Sequence, residues 1–255
     1  MSQAIAQWMD SMVRLGRLFR QTFTSVLKGS LRRRRSQLIV QMYEIGNKSV
    51  LFITATLSIL GMISVFQVLK QVEKIVPDFS MIGPAFIQMM IREFGPTITG
   101  LMIATRVGSG IAAEVGSMVV TEQVDALRMS NAKPVDYLVA PRFVACGIQT
   151  MMLSIYGVVV GVIAGSITAY VFWNISFGMF LRFDLVQWGD VVSGLLKALA
   201  YGFTIPIVAS QAGLETKGGS EGVGAATTRA VVNASFAVVI LDLLLSGFSY
   251  LVLYG

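Results

Sequence analysis

Ser49 to Leu69 reads SVLFITATLSILGMISVFQVL and contains no charged residue. A helical run of about 20 apolar residues matches the hydrocarbon thickness of a bilayer. Four further blocks follow it. Met81 to about Val115 is too long for one simple crossing, and its Gly83-Pro84 and Gly95-Pro96 steps predict a bend. Val135 to about Trp173 is also overlong, with Pro141-Arg142 near its start. Val191–Gln211 and Ala230–Leu253 complete the set. The spans are therefore placed at about 49–69, 82–113, 135–172, 191–211 and 230–253. Between them lie a polar, helix-compatible stretch from Gly116 to Lys133 and a polar, Gly-rich loop over 212–229.

Composition agrees with this reading. The 255 residues are 55% hydrophobic and 13% charged, where a soluble domain carries about 25% charged residues. So few charges cannot cover a globule in water. Histidine is absent, which removes the commonest general base and the commonest metal ligand. Zinc proteases, Ser-His-Asp hydrolases and histidine proton relays are excluded in their usual forms, and no metal site is expected. Cys146 is the only cysteine, so no intrachain disulfide can form.

Residues 1–40 form a separate N-terminal segment ahead of the membrane domain at 41–255. Ile5, Trp8, Met9, Met12, Phe19 and Phe23 recur near helical spacing, and Arg14, Arg17 and Arg20 interrupt any spanning run. This is the pattern of an amphipathic helix in the membrane interface; an amphipathic helix packed on protein is the alternative. Its arginines lie among and after the apolar residues, unlike a cleavable signal. The run Arg32 to Arg35 reads as a cytoplasmic anchor rather than a nucleic-acid patch. Fifteen Lys or Arg fall in residues 1–48, 106–142 and 212–229, against Lys70, Lys74 and Arg182 on the other side. The positive-inside rule then places the N-terminus in the cytoplasm and the C-terminus outside. Phe177, Phe180, Phe183 and Trp188 are expected at the outer interface, where aromatic rings are favoured.

The ionisable residues inside the apolar blocks carry most information, because a charge at bilayer depth costs about 3 kcal/mol or more unless paired or wet. Lys197 and Asp242 lie at compatible depths and suggest a pair holding two helices in register; Arg106 is a third candidate for intramembrane pairing. Arg92 and Glu93 sit beside a Gly-Pro break. Neighbours on a helix point about 100° apart and need not pair. In a wet cavity the arginine could hold a phosphate headgroup by charge-assisted hydrogen bonds. Gly157, Gly161 and Gly165 form a ridge suited to close helix approach. Glu122, Asp125 and Arg128 alternate with Val119, Val120, Val124, Leu127 and Met129. Such a short amphipathic helix either docks into a partner's groove or lies flat on the membrane. The chain has no G-x-x-x-x-G-K-[ST] phosphate loop.

Several motifs resemble those of MlaE-type permeases. They are Arg92-Glu93-Phe94-Gly95-Pro96, Arg106-Val107-Gly108-Ser109-Gly110, Ala113-Glu114-Val115-Gly116, Thr121-Glu122-Gln123-Val124-Asp125-Ala126-Leu127, and Pro141-Arg142-Phe143. Gly218-Gly219-Ser220-Glu221-Gly222-Val223-Gly224 and Ala226-Thr227-Thr228-Arg229-Ala230-Val231-Val232 match a second region. The resemblance covers roughly residues 40–255 in order. It implies a homodimeric transmembrane subunit of an ABC transporter carrying phospholipid between the inner and outer membranes of a bacterium. ATP would be bound by a partner ATPase, so the permease itself needs no cofactor and is no enzyme. An MCE-domain lipid-binding protein on the outer face and a cytoplasmic STAS-domain protein are the further implied partners. The family's coupling helix matches Gly116 to Met129, which assigns Glu114, Glu122, Gln123, Asp125 and Arg128 to ATPase coupling. Its lipid cavity implies substrate contacts at Arg92, Glu93, Val65, Leu69, Val72 and Glu73. The match is looser over residues 65–82.

The expectation is thus an all-α membrane protein with five transmembrane helices, an N-terminal interfacial amphipathic helix and a cytoplasmic coupling helix, in the bacterial inner membrane. An ion-coupled secondary transporter using Asp242, Glu93 and Lys197 is the main rival. It lacks a visible inverted repeat.

Overall fold

The computed structural model describes residues 2–28, 35–74 and 79–253. Most of the Arg32–Arg35 run lies outside the described residues, as do the side chains of Ile5, Trp8 and Met9. Helix α1 spans Ser2–Leu27, α2 Arg35–Val72, α3 Ile82–Met89, α4 Gly95–Val120 and α5 Gln123–Met129. They are followed by α6 Ala140–Trp173, α7 Phe177–Phe180, α8 Trp188–Leu214 and α9 Gly219–Leu253. The described residues contain five helical stretches long and apolar enough to cross a membrane: α2, α3 with α4, α6, α8 and α9. The expected all-α membrane fold is present.

The spanning helices outrun the apolar windows. α2 has 38 residues, or about 57 Å at 1.5 Å per residue, against about 30 Å of hydrocarbon. Its first 14 residues, Arg35 to Lys48, continue the helix beyond the first span. The 212–229 segment is largely helical rather than a loop. Only Gly218 (φ 89°) and Gly219 (φ 70°) take the left-handed backbone that breaks the path, and α9 starts there. Ala225, Ala226 and Arg229 favour helix, so the glycines mark a turn only at its edge.

The two overlong blocks are each one bent rod containing a π-helical turn, at Met90–Phe94 and at Val135–Val139. Both turns immediately precede a Gly-Pro or Ala-Pro step. Proline brings no N–H and its ring crowds the preceding turn, so the backbone widens by one residue rather than breaking. Gly95 N–H then donates to Met90 O, and Ala140 N–H to Val135 O.

The bundle is ordered α2, α6, then α4 with α8, then α9. The glycine ridge of α6 is consumed by α2. The Gly61 and Gly161 backbones meet directly, and Gly165 faces Val65 and Phe86. Close backbone approach lets dispersion forces hold helices where lipid and protein are equally apolar. At one end a small second core joins Leu18 of α1, Val124 of α5, Leu138 and Val139 of the second π turn, Phe143 of α6, and Ile207 of α8. α1 therefore packs on protein along one face. Met12, Val13, Phe19 and Phe23 remain exposed on it, an apolar strip suited to the interface. At the opposite end Phe177, Phe183 and Trp188 are exposed as a belt requires, but Phe180 is buried against Phe86 and the Gly83 backbone. It plugs the core instead of sitting in the belt.

Candidate functional site

The site starts from Pro96. In a regular helix its N–H would bond the carbonyl of Arg92; proline has none. The freed Arg92 carbonyl points to α8 and accepts a hydrogen bond from Lys197 Nζ at 3.2 Å. The same ammonium donates to Glu93 Oε2 at 2.6 Å and to Ser246 Oγ at 2.7 Å. Asp242 Oδ1 lies 3.3 Å from it. Lys197 is 1% exposed, yet its charge faces two carboxylates and two neutral acceptors. Asp242 in turn accepts from Thr97 Oγ1 at 3.0 Å and Tyr201 OH at 2.7 Å.

Three helices each supply two residues spaced by four: Glu93 and Thr97, Lys197 and Tyr201, Asp242 and Ser246. Four residues bring side chains to one face in an α-helix, as on α8 and α9, while Glu93 lies in the π turn and Thr97 in the first turn of α4. Gly194 lets α8 approach the Ile91 carbonyl, where a Cβ would collide with it. The lysine is thereby brought within reach of the π turn.

Arg92 extends the network outward. Its Nε is 3.4 Å from Glu93 Oε1, and its Nη1 is 4.0 Å from Asp190 Oδ1. Asp190 is fully buried at the start of α8, where its Oδ2 accepts from the Gln187 N–H at 3.0 Å and from Gln88 Nε2 at 2.9 Å. The carboxylate caps the helix and flanks the guanidinium at once. Arg92 and Glu93 keep 24% and 31% of their side-chain surface exposed. The outcome is two cations and three carboxylates at membrane depth, closed at Lys197 and open at Arg92 and Glu93. It holds charge and offers donors at a rim.

The three residues of the proposed ion relay, Asp242, Glu93 and Lys197, therefore do meet, and the Lys197–Asp242 pair is present. Arg92 and Glu93 also pair, although neighbours on a helix need not. Arg106 stands apart, about 20 Å further along the rod at 1.5 Å per residue, and donates to Ser49 Oγ. Thr97, Tyr201, Ser246, Asp190 and Gln88 were not singled out from sequence. The i, i+4 spacing of the first three to Glu93, Lys197 and Asp242 was the available signal.

The other expected contacts fall elsewhere. Val65 and Leu69 are buried inside the chain, 1% and 0% exposed; Val72 is half-buried. Glu73 is exposed and accepts from Trp173 Nε1 at 3.0 Å. At the other end Glu114 lies on α4 and binds the buried Arg142 at 2.7 Å, while Arg142 also donates to Leu138 O. Glu122, Gln123, Asp125 and Arg128 are exposed at the turn and on α5, with Asp125 and Arg128 paired at 2.9 Å. Glu122 has φ 59°, a left-handed backbone that costs a non-glycine residue about 1 kcal/mol or more. Val124 anchors α5 to the small core.

Comparison with known proteins agrees with the motifs. The family model for Permease MlaE matches residues 38–248. The chain is 35% identical over 245 residues to a probable ABC transporter permease of Synechocystis, covering 95% of this chain and 92% of that one. It is 40% identical over 167 residues to a probable ABC transporter permease of Rickettsia typhi, covering 65% and 64%. It is 32% identical over 233 residues to the chloroplastic TRIGALACTOSYLDIACYLGLYCEROL 1 protein of Arabidopsis thaliana, covering 90% and 65%. With its five spanning helices and these matches over most of its length, the chain belongs to the MlaE permease family, the multi-pass membrane components of ABC transporters that work with an ATPase partner.

Proposed function

We propose that this permease moves phospholipid between the inner and outer membranes of a bacterium, with ATP bound and hydrolysed by its partner. The observation that carries this reading is the half-open charged cluster around Arg92 and Glu93. A guanidinium fixed between Glu93 and Asp190 presents donors to a phosphate, and the apolar helices around it suit acyl chains. The name of the Arabidopsis relative, which is that of a glycerolipid, supports a lipid cargo. The chain works as a homodimer, with lipid between the two copies. It lies in the inner membrane with α1 and α5 at the cytoplasmic end and the C-terminus outside. An MCE-domain protein receives or delivers lipid at the outer end, and a STAS-domain protein attends the ATPase.

Coupling runs through α5. The ATPase engages the exposed Glu122, Gln123, Asp125 and Arg128. Val124 passes the movement into the small core shared by α1, α6 and α8. Different lipid affinities in two arrangements of the helices then make transport directional. The permease contributes no covalent step.

The test is photocrosslinking of phospholipid to the assembled complex. Arg92→Glu places a like charge against the phosphate and is expected to weaken crosslinking at least tenfold while assembly persists. Unchanged crosslinking in an assembled complex contradicts the lipid reading.

A further inference from the structure

Lys70 lies in the last turn of α2 and Lys74 just past its end, at the end of the bundle remote from α1 and α5. Two of the three cations assigned to that end of the membrane thus stand four residues apart at the end of one helix. Below them a groove of about 730 Å³ opens between α2 and α6, lined by Met62, Ile63, Phe66 and Phe172, with both lysines at its rim. The volume is that of an ordinary small-ligand site. Phe66 packs edge-on against Phe172 and Trp173, with ring centroids 5.3 and 5.4 Å apart. The Lys70 ammonium turns back to 5.8 Å from the Phe66 ring centre, so its charge stays at the groove. Trp173, bonded to Glu73, marks the level of the membrane–water boundary.

The groove has the polarity of a lipid laid along a helix: apolar floor at depth, two positive charges and the Gln67 and Gln71 amides near the headgroup level. It is separate from the cluster around Arg92. That cluster is built on the π turn with α4, α8 and α9, and none of its residues lines the groove between α2 and α6. We propose that this groove is a second lipid site, holding one acidic phospholipid from the surrounding leaflet. Its phosphate sits at Lys70 and Lys74, and an acyl chain lies along Met62, Ile63, Phe66 and Phe172. Charge complementarity selects the occupant: a zwitterionic headgroup gains less from two ammonium groups than an anionic one does.

The experiment uses the full chain in nanodiscs of equal parts phosphatidylglycerol and phosphatidylcholine, with a photoreactive residue placed at Ile63, and identifies the captured lipid by mass spectrometry. Each lysine near an anionic headgroup is worth about fivefold, so phosphatidylglycerol is expected over phosphatidylcholine by about 25-fold. Lys70→Gln with Lys74→Gln brings the ratio near one; Lys70→Arg with Lys74→Arg keeps it. Arg92→Gln leaves capture unchanged, which separates this site from the one proposed for transport. Equal capture of both lipids by the unaltered lysines overturns the proposal, as does a ratio indifferent to the glutamines. So does collapse of capture in Arg92→Gln, or a crosslink to a second copy of the chain in place of lipid.

Discussion

Lys197 is the residue on which the charged cluster closes. Its four partners come from two neighbours of α8, α4 with its π turn and α9, so removing the ammonium strips Asp242 of its ion-pair partner and leaves Glu93 with Arg92 alone. Breaking one partner of a buried charged set costs about 3–5 kcal/mol. Lys197→Met is therefore expected to lower the detergent-solubilised unfolding temperature sharply. Adding Asp242→Asn should recover part of the loss, because fewer charges are then left unpaired. Thermal unfolding of the two variants and the double variant measures this coupling; additive losses contradict it. Lys197, Asp242 and Glu93 were legible in sequence because charges stand out in apolar blocks. Depth suggested a direct pair only for Lys197 and Asp242; Glu93 was grouped with them only in the rival relay, with no contact read from spacing. Glu93 joins them because a π turn alters the register of its helix, and no spacing rule for a regular helix reveals that.

At the scale of the element, the π turn before Pro96 ties sequence to site. Pro96→Ala restores an N–H that can bond the Arg92 carbonyl in place of Lys197. The rod then regularises, and the one-residue change of hydrogen-bond register rotates the Arg92 and Glu93 side by about 100° relative to α4. Stability is expected to fall, because the buried Lys197 loses both Glu93 and the Arg92 carbonyl, and phospholipid crosslinking near Arg92 drops severalfold. Crosslinking at the original level would show that the turn does not position the site. The coupling element has its own test. Glu122→Lys is expected to impair ATPase co-purification with little loss of folding, since Glu122 is exposed; normal recovery of the ATPase contradicts its role. Glu122→Gly, by contrast, relieves the left-handed backbone and should keep or raise stability. The existence of every spanning helix was readable from hydropathy, but their ends were not. α2 and α9 continue beyond the hydrocarbon because a helix needs no apolar face once it stands in water. Glycines at 218–224 suggested a loop where only Gly218 and Gly219 require special backbone.

For the whole molecule, the bundle leaves its two outermost rods unequally covered. α9 is the least buried spanning helix, with Val232, Phe236, Val239, Leu243 and Leu244 all exposed. α2 is more embedded through the glycine ridge. Gly161→Leu would drive a side chain into Met90 and the Leu57 carbonyl, and is expected to detach α2 and prevent stable purification. Gly110→Leu, at an open position with nothing within 4 Å, should be tolerated; equal loss in both would deny the ridge its packing role. The ridge was legible as a close-packing motif, yet the sequence did not say whether its partner was another helix of the same chain or a second copy. The order of helices settles this, since α6 spends its glycines on α2.

Whether the chain is an ATP-driven permease for phospholipid is decided by affinity purification of the tagged chain in mild detergent, with mass spectrometry of its partners and bound lipids. Recovery of an ABC ATPase and an MCE-domain protein together with phospholipid is expected, with loss of the phospholipid alone in Arg92→Glu. Recovery of the complex without phospholipid in any of several detergents would contradict the lipid cargo and leave the charged cluster to serve another substrate.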